Sequence, residues 1–244
     1  MHLKKCWLGW NATTPGSEVK LKLSIIVPML NEAAQLPDLF AHLLPFQRAG
    51  CEIIFSDGGS TDGSAKLAEV AGFKVVQATR GRARQMNTGA AQSNGDVLLF
   101  LHADTRLPQG ALRHITHALA VNNRCWGRFD VCITGKPLML RIVGHMMNWR
   151  SRLTAIATGD QAIFVRRSVF ERMHGFPDQP LMEDVELCKR LKTISRPACI
   201  THCVSTSGRR WETRGVWRTI VLMWRLRFAY WCGVDVSELA RLYR

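Results

Sequence analysis

The sequence predicts an α/β fold, a doubly wound and mainly parallel sheet followed by a C-terminal amphipathic helix. Three observations carry this. Residues 23–27, 52–56 and 97–101 are short, nearly continuous apolar runs of the kind that forms strands buried on both faces. Each run ends abruptly in polar residues. Between them lie segments with apolar residues at helical spacing, so the chain alternates β-α-β-α-β. With 244 residues and 47% hydrophobic content, one sizeable core is within reach.

Taken in order, residues 1–22 mix Lys, Trp, Asn and Pro without a sustained apolar core, so they are expected to be a poorly ordered extension with no secretory signal. A strand over 23–27 is broken by Pro28 and followed by a polar loop with Asn31 and Glu32. Leu36, Leu39, Phe40, Leu43 and Leu44 then keep helical spacing, with Pro37 in the first turn and Pro45 near the close. After the second strand, Thr61 or Asp62 caps a helix running to Ala71, Gly72 stops it, and residues 73–76 form a third strand. A basic loop from Arg80 leads into a helix ending near Gln92. Past the 97–101 strand, Leu112, Ile115 and Leu119 face inward from a helix. A strand to Ile133 follows, then an apolar helix from Pro137 to about Leu153, on which His145 is read as a packing residue. A Gly159-Asp160 turn opens a short strand ending near Arg167.

The tail carries Trp217, Trp224 and Trp231 every seven residues, with Arg214, Arg218 and Arg225 on a neighbouring stripe. Two readings stand: the Trp stripe packs on the domain, which is the favoured one, or it rests at headgroup depth on a membrane. The resulting division is an extension at 1–22, a main domain at 23–211 and an amphipathic helical segment at 212–244.

A formal net charge of +14 favours polyanionic partners: nucleic acid, anionic lipid or phosphorylated substrates. Eight cysteines without a Cys-x-x-Cys pair, several inside apolar runs, fit a reducing cytoplasm. Residues 199–203 hold two Cys and one His, but alternate strand residues face opposite ways and no second ligand pair accompanies them, which argues against zinc. No run is long enough for an uninterrupted membrane span.

The candidate site follows from the strand ends. In open α/β sheets ligands gather at the carboxyl edge, and Asp104 stands just beyond one strand while Asp57 stands at the end of another. An Asp there also caps turns, but two strands delivering acids to one edge favour a metal or phosphate site. Arg82 and Arg84 open a helix and suit a diphosphate, since guanidinium forks match phosphate oxygens. Glu183, Asp184 and Glu186 crowd a helix start in a basic protein; helix dipoles attract such acids, and an Asp facing a cleft also accepts a proton from a substrate hydroxyl.

These motifs together resemble the inverting family-2 glycosyltransferases of GT-A fold, from about residue 23 to about residue 211. The resemblance rests on residues 24–28 with Asn31 and Glu32, the Ser-Asp-Gly-Gly-Ser-Thr-Asp segment at 56–62, His102-Ala103-Asp104 in place of an Asp-x-Asp motif, Glu183-Asp184, and Arg209-Arg210-Trp211 in place of Gln-x-x-Arg-Trp. The Met-Glu-Asp-Val-Glu-Leu segment is similar to a short bacterial subgroup. What the resemblance implies is a sugar moved from a nucleotide-diphosphate donor to an acceptor hydroxyl with inversion. Pro28, Asn31, Glu32 and Asp57 would contact base and ribose, and Asp104 would bind Mg²⁺ or Mn²⁺. Arg210 and Trp211 would belong to the donor site, and Asp184, beside Glu183, would be the base. Asp160 and Gln161 are expected to hold donor sugar or acceptor. A lipid-linked acceptor would place the enzyme on the inner face of the cell membrane, with no nucleic-acid partner. Two rivals are a nucleotidyltransferase, which lacks a closely spaced acid pair here, and a non-catalytic polyanion-binding module, for which no nucleic-acid motif speaks.

Overall fold

A computed structural model describes residues 21–121 and 124–243; most of the expected N-terminal extension lies outside the described residues. The elements are β1 (Leu23–Met29), α1 (Leu36–Arg48), β2 (Glu52–Asp57), α2 (Ser64–Val70), β3 (Lys74–Gln77), α3 (Arg82–Ala91), β4 (Val97–Phe100), β5 (Thr105–Arg106), α4 (Ala111–Val121), β6 (Trp126–Thr134) and α5 (Met139–Thr154). After a 3-10 turn at Gly159–Gln161 come β7 (Phe164–Arg166), α6 (Arg167–Arg172), α7 (Glu183–Leu191), β8 (Ala198–Ser207), α8 (Arg209–Arg214), α9 (Val216–Trp231) and α10 (Val236–Tyr243).

One sheet runs in the order β3-β2-β1-β4-β7-β6-β8-β5. The first four strands are parallel, so Met29, Asp57 and Phe100 close their strands at a common edge. β7 pairs antiparallel with β4 and β6, and β6 runs parallel to β8 with an irregularity between Phe129 and Asp130. The strands alternate between two cores. Ile25, Val27, Leu99 and Leu101 face the α1 side, while Ile26, Leu98 and Phe100 face the α3 and α7 side. Each fully buried Leu, Ile or Phe contributes about 1.5–3 kcal/mol of transfer free energy, so burial on both faces holds the strand ends firmly.

Several expectations need correction. α2 starts after Gly63, whose φ is 85°, and Asp62 supports the start by accepting the Ser64 N–H at 3.0 Å. His145 is exposed, not packed, with its ring at 3.1 Å from the Arg141 carbonyl oxygen. The C-terminal segment holds two helices, α9 and α10, whose contact is a third small core of Met182, Leu226 and Leu239. On α9 the stripe of Trp217, Trp224 and Trp231 is 68%, 69% and 80% exposed. It does not pack on the domain; Leu226 and Ile220, on the other side of the helix, do. No helix among the described residues is long and apolar enough to cross a membrane.

Candidate active site

The floor of the site is built from the loops after β1 and β2. Asn31 adopts φ 56°, which Asn tolerates better than most side chains, and its side-chain oxygen accepts the Thr61 N–H at 2.9 Å. Its own N–H donates to Ser60 Oγ, and those of Glu32 and Ala33 donate to Ser64 Oγ and Asp62. Asp57 is almost fully buried; its carboxylate accepts from Gly59 N, Ser60 N and Ser60 Oγ, so it shapes the loop. Beneath both loops the buried Gln85 amide donates to the carbonyls of Met29 and Ser56. A Cβ at position 58 would meet that amide at 2.9 Å, which accounts for Gly58. Pro28 lies half-buried in β1, one residue before the loop begins.

Beyond β4, His102 Nδ1 stands 3.1 Å from Asp160 Oδ1 and Asp104 is half-exposed. Burial alone would raise the Asp160 carboxyl, but the His102 hydrogen bond and charge, with Arg82 and Arg210, bring it below the usual range. The 3-10 turn holding Asp160 is tied to α7 through Gly159 N–H, which donates to Asp184 Oδ2 at 2.8 Å. A Cβ at position 159 would fall 2.3 Å from His102 Nε2, so only glycine lets the turn close on that ring.

α7 is entered through Met182, which takes φ 62°, a left-handed conformation that a long side chain rarely adopts and that is characteristic of functional loops. The strained turn brings Glu183 and Asp184 to the strand edge. Glu183 is buried, and burial together with Asp184 raises its carboxyl above the ordinary range, against the pull of Arg82 and His102. Arg82 Nη1 lies 3.9 Å from Glu183 Oε1 and its guanidinium is mostly exposed. Arg84 does not share that position: it makes a two-pronged pair with Asp178, at 2.7 and 2.9 Å. Glu32 is raised by partial burial and by Asp104 and Asp62, while Arg209 and Arg82 pull it down.

Gln161 is a correction. It is fully buried, and its amide binds Ser151, Asn148 and the Thr158 backbone, a packing role with no face left for a sugar. Trp211 is half-buried against the main core. Arg210 lies over the Tyr243 ring at 4.3 Å and donates to its hydroxyl. Its guanidinium is pushed below its ordinary range by partial burial and by Arg214 and Arg82, with Asp160 and Asp104 acting the other way.

Sequence reasoning missed Arg150 on α5 and Arg227 on α9. Burial lowers both, and Asp184 lies near enough to act on each of them. The signal was available: both occupy core-facing register positions of amphipathic helices, seven residues after Val143 and Ile220. No group of three or more His, Cys, Asp or Glu among the described residues is arranged to cage a metal. The half-exposed Asp104, with Glu32 within electrostatic reach, does fit a hard cation that takes one or two carboxylates and draws its other ligands from substrate phosphates.

A curled, mainly parallel sheet with carboxylates gathered at the ends of β1, β2 and β4 is the GT-A glycosyltransferase fold. Residues 24–173 match Glycosyl transferase family 2, and the chain belongs to that family. It is 26% identical over 250 residues to the probable glycosyltransferase YdaM of Bacillus subtilis (strain 168), a match taking in 91% of this chain and 58% of that protein. It is 28% identical over 166 residues to the undecaprenyl-phosphate 4-deoxy-4-formamido-L-arabinose transferase of Pseudomonas aeruginosa (strain LESB58), covering 63% and 44%. The chain thus spans about half the length of the curated relatives it matches. Among solved structures, the mannosyltransferase PcManGT from Pyrobaculum calidifontis, in complex with GDP-Man and Mn²⁺, superposes with a TM-score of 0.60 at 21% identity, over 87% of this chain and 62% of that one. S. aureus TarS 1-349 in complex with UDP-GlcNAc gives 0.63 at 18% identity, over 77% and 58%.

Proposed function

We propose that the protein transfers a sugar from a nucleotide-diphosphate donor to an acceptor hydroxyl, inverting the anomeric centre in one displacement. The observation that carries the reading is the convergence of Asp104, Arg82, Asp160 and Asp184 at one sheet edge, tied by the Gly159–Asp184 bond. Structural neighbours in complex with GDP-Man and UDP-GlcNAc support the donor class.

The loops of Asn31, Glu32 and Asp57 form the cradle for base and ribose. Arg82 offsets the diphosphate charge as it leaves, and Arg210 and Trp211 close the donor side. Asp184 takes the proton of the acceptor hydroxyl as that oxygen bonds to the anomeric carbon; the bond from carbon to diphosphate breaks and its electron pair goes to the diphosphate. Asp104 would hold Mg²⁺ or Mn²⁺, whose positive charge further stabilises the leaving diphosphate. Asp160 orients His102 and faces the sugar.

The acceptor side reaches a membrane. The exposed Trp stripe of α9, flanked by Arg218 and Arg225 on a chain of net charge +14, suits peripheral contact with anionic headgroups on the cytoplasmic face. A lipid-linked acceptor fits that placement, and relatives named for undecaprenyl-phosphate sugar transfer support it.

Thermal-shift measurements with UDP, GDP and their sugars, with and without Mn²⁺, test the reading. A bound nucleotide at 100 times its Kd stabilises by about 2.7 kcal/mol. The parent should show a Mn²⁺-dependent shift that Asp104→Ala loses. No shift with any nucleotide would overturn the proposal.

A further inference from the structure

Arg150 and Arg227 are largely buried cations to which the donor-side reading gives no role. Arg150 Nε and Nη2 are both shielded from solvent, and neither has a hydrogen-bond partner. Arginine carries its charge at any pH the protein meets, so buried donors left unbonded hold a desolvation penalty that an anion would relieve. Among the described residues neither arginine forms an ion pair. Arg128, the other arginine near Arg150, is already bound to Asp130. Asp184 is the carboxylate that acts on both, and Asp160 acts on Arg227 as well, but neither acid comes within ion-pair distance of either arginine.

The placement gives the pair a direction. Arg150 comes from α5 and Arg227 from α9, and α9 is docked on the start of α7, with Tyr230 donating to Glu186 and Leu226 packed beside Met182. The two guanidinium groups, from separate helices, lie within electrostatic reach of Asp184, the acid read as the proton acceptor, and Arg227 acts on Arg150. The outer faces of the same two helices carry exposed apolar residues, Trp149 and Leu153 on α5 and Trp224 and Phe228 on α9.

We infer that Arg150 and Arg227 form an anion seat next to Asp184 that binds a phosphate group on the acceptor, so that the acceptor is a phosphate-bearing alcohol. The inference rests on the glycosyl-transfer reading and adds the acceptor's chemistry to it. A phosphorylated alcohol would otherwise be repelled by Asp184. With its charge held by two guanidinium forks, which match phosphate oxygens in geometry, a hydroxyl a few bonds away is presented to the Asp184 carboxylate. The phosphate belongs either to an anionic lipid headgroup or to a soluble phosphorylated polyol.

The full chain is titrated calorimetrically with glycerol 3-phosphate and sedimented with phosphatidylglycerol or phosphatidylcholine vesicles. Arg150→Gln, Arg227→Gln and the equal-charge control Arg172→Gln, an exposed residue of α6, are compared. Binding of UDP or GDP with Mn²⁺ to each protein reports folding and donor binding separately. Arg150→Gln and Arg227→Gln should weaken glycerol 3-phosphate or phosphatidylglycerol binding about tenfold or more, with nucleotide binding and the control unchanged. If Arg150→Gln unfolds the chain, Arg150→Lys, which keeps the charge but not the fork, should weaken phosphate binding while retaining the nucleotide. Loss confined to glycerol 3-phosphate identifies a soluble acceptor; loss confined to phosphatidylglycerol vesicles identifies a lipid. Equal binding by parent and both variants, or a parent that binds nucleotide but neither phosphate probe, overturns the seat and leaves glycosyl transfer standing. A parent that binds the phosphate probe through these arginines but no nucleotide overturns glycosyl transfer and leaves the seat.

Discussion

The backbone N–H of Gly159 reaches Asp184 Oδ2 at 2.8 Å, and through that bond the 3-10 turn carrying Asp160 and the first turn of α7 become one rigid unit. Since Asp160 also meets His102 at 3.1 Å, the segment after β4 joins the same unit. Three stretches distant in sequence thereby present their acids with a fixed spacing. Proton transfer to a positioned group depends on such fixed geometry.

Gly159→Ala tests that unit. The new Cβ would stand 2.3 Å from His102 Nε2, far inside contact distance, so either the ring or the turn must move. A lowered melting temperature together with weakened donor binding is expected, by the 1–3 kcal/mol or so typical of overpacking. Wild-type melting and donor affinity would mean that the turn does not depend on the close approach.

The β-α-β-α-β half was legible because its strands are continuous apolar runs and its helices keep one clean stripe. The second half was harder to read. β8 carries Thr201, His202 and Ser205 among its apolar residues, so its place between β6 and β5 comes from pairing, which composition does not encode. The candidate acids stood out because each follows a buried strand or opens a helix. The His102–Asp160 contact, 58 residues apart in sequence, and the burial of Gln161 depend on how the 3-10 turn folds back, which no local pattern announces. Heptad spacing marks one side of a helix without saying which side packs, so the exposure of the Trp stripe is not encoded in its period.

Arg82 and Arg84 separate cleanly in space. Arg82 faces Glu183 at the strand edge, whereas Arg84 is spent on the exposed carboxylate of Asp178. Arg82→Gln should weaken UDP or GDP binding about tenfold, the loss of one charge-assisted contact, while Arg84→Gln leaves it within about twofold. Titration of both variants decides it, and equal losses would return Arg84 to the diphosphate.

The raised Glu183 carboxyl gives folding a pH dependence of known sign. Burial and Asp184 make the folded state hold this proton more tightly than the unfolded chain does, so the associated stabilisation is full below the ordinary value of 4.5 and is lost as pH rises through the folded one. Glu183→Gln has no such proton to lose. Its melting temperature should therefore fall less than the parent's between pH 4.5 and pH 7, and at pH 7 it should lie a few degrees above. Parallel curves would show that Glu183 ionises freely in the folded protein.

Trp217, Trp224 and Trp231 project from α9 away from the core, beside basic residues, so replacing all three with Ser should leave melting nearly unchanged and reduce pelleting with anionic vesicles several-fold. Co-sedimentation with anionic and neutral vesicles is the measurement. Equal recovery of parent and variant would leave the stripe without a membrane role.

Asp184 and Glu183 are adjacent acids with different surroundings, and that difference assigns their work. Glu183 is buried with its carboxyl biased toward the protonated form, whereas Asp184 is half-exposed and held at Oδ2 by Gly159 and at Oδ1 by Val185, with lone pairs on both oxygens still open. Asp184→Asn keeps nearly the same shape and still hydrogen-bonds a hydroxyl, but it cannot take a proton. Turnover should then fall by about 10² to 10⁴, the usual contribution of a positioned base, while donor affinity changes little. Glu183→Gln, which imitates the protonated acid, should retain most of the turnover. Single-turnover rates and donor Kd for both variants check the assignment. An active Asp184→Asn beside an inactive Glu183→Gln would transfer the base to Glu183, and full activity in both would remove proton abstraction by α7 from the mechanism.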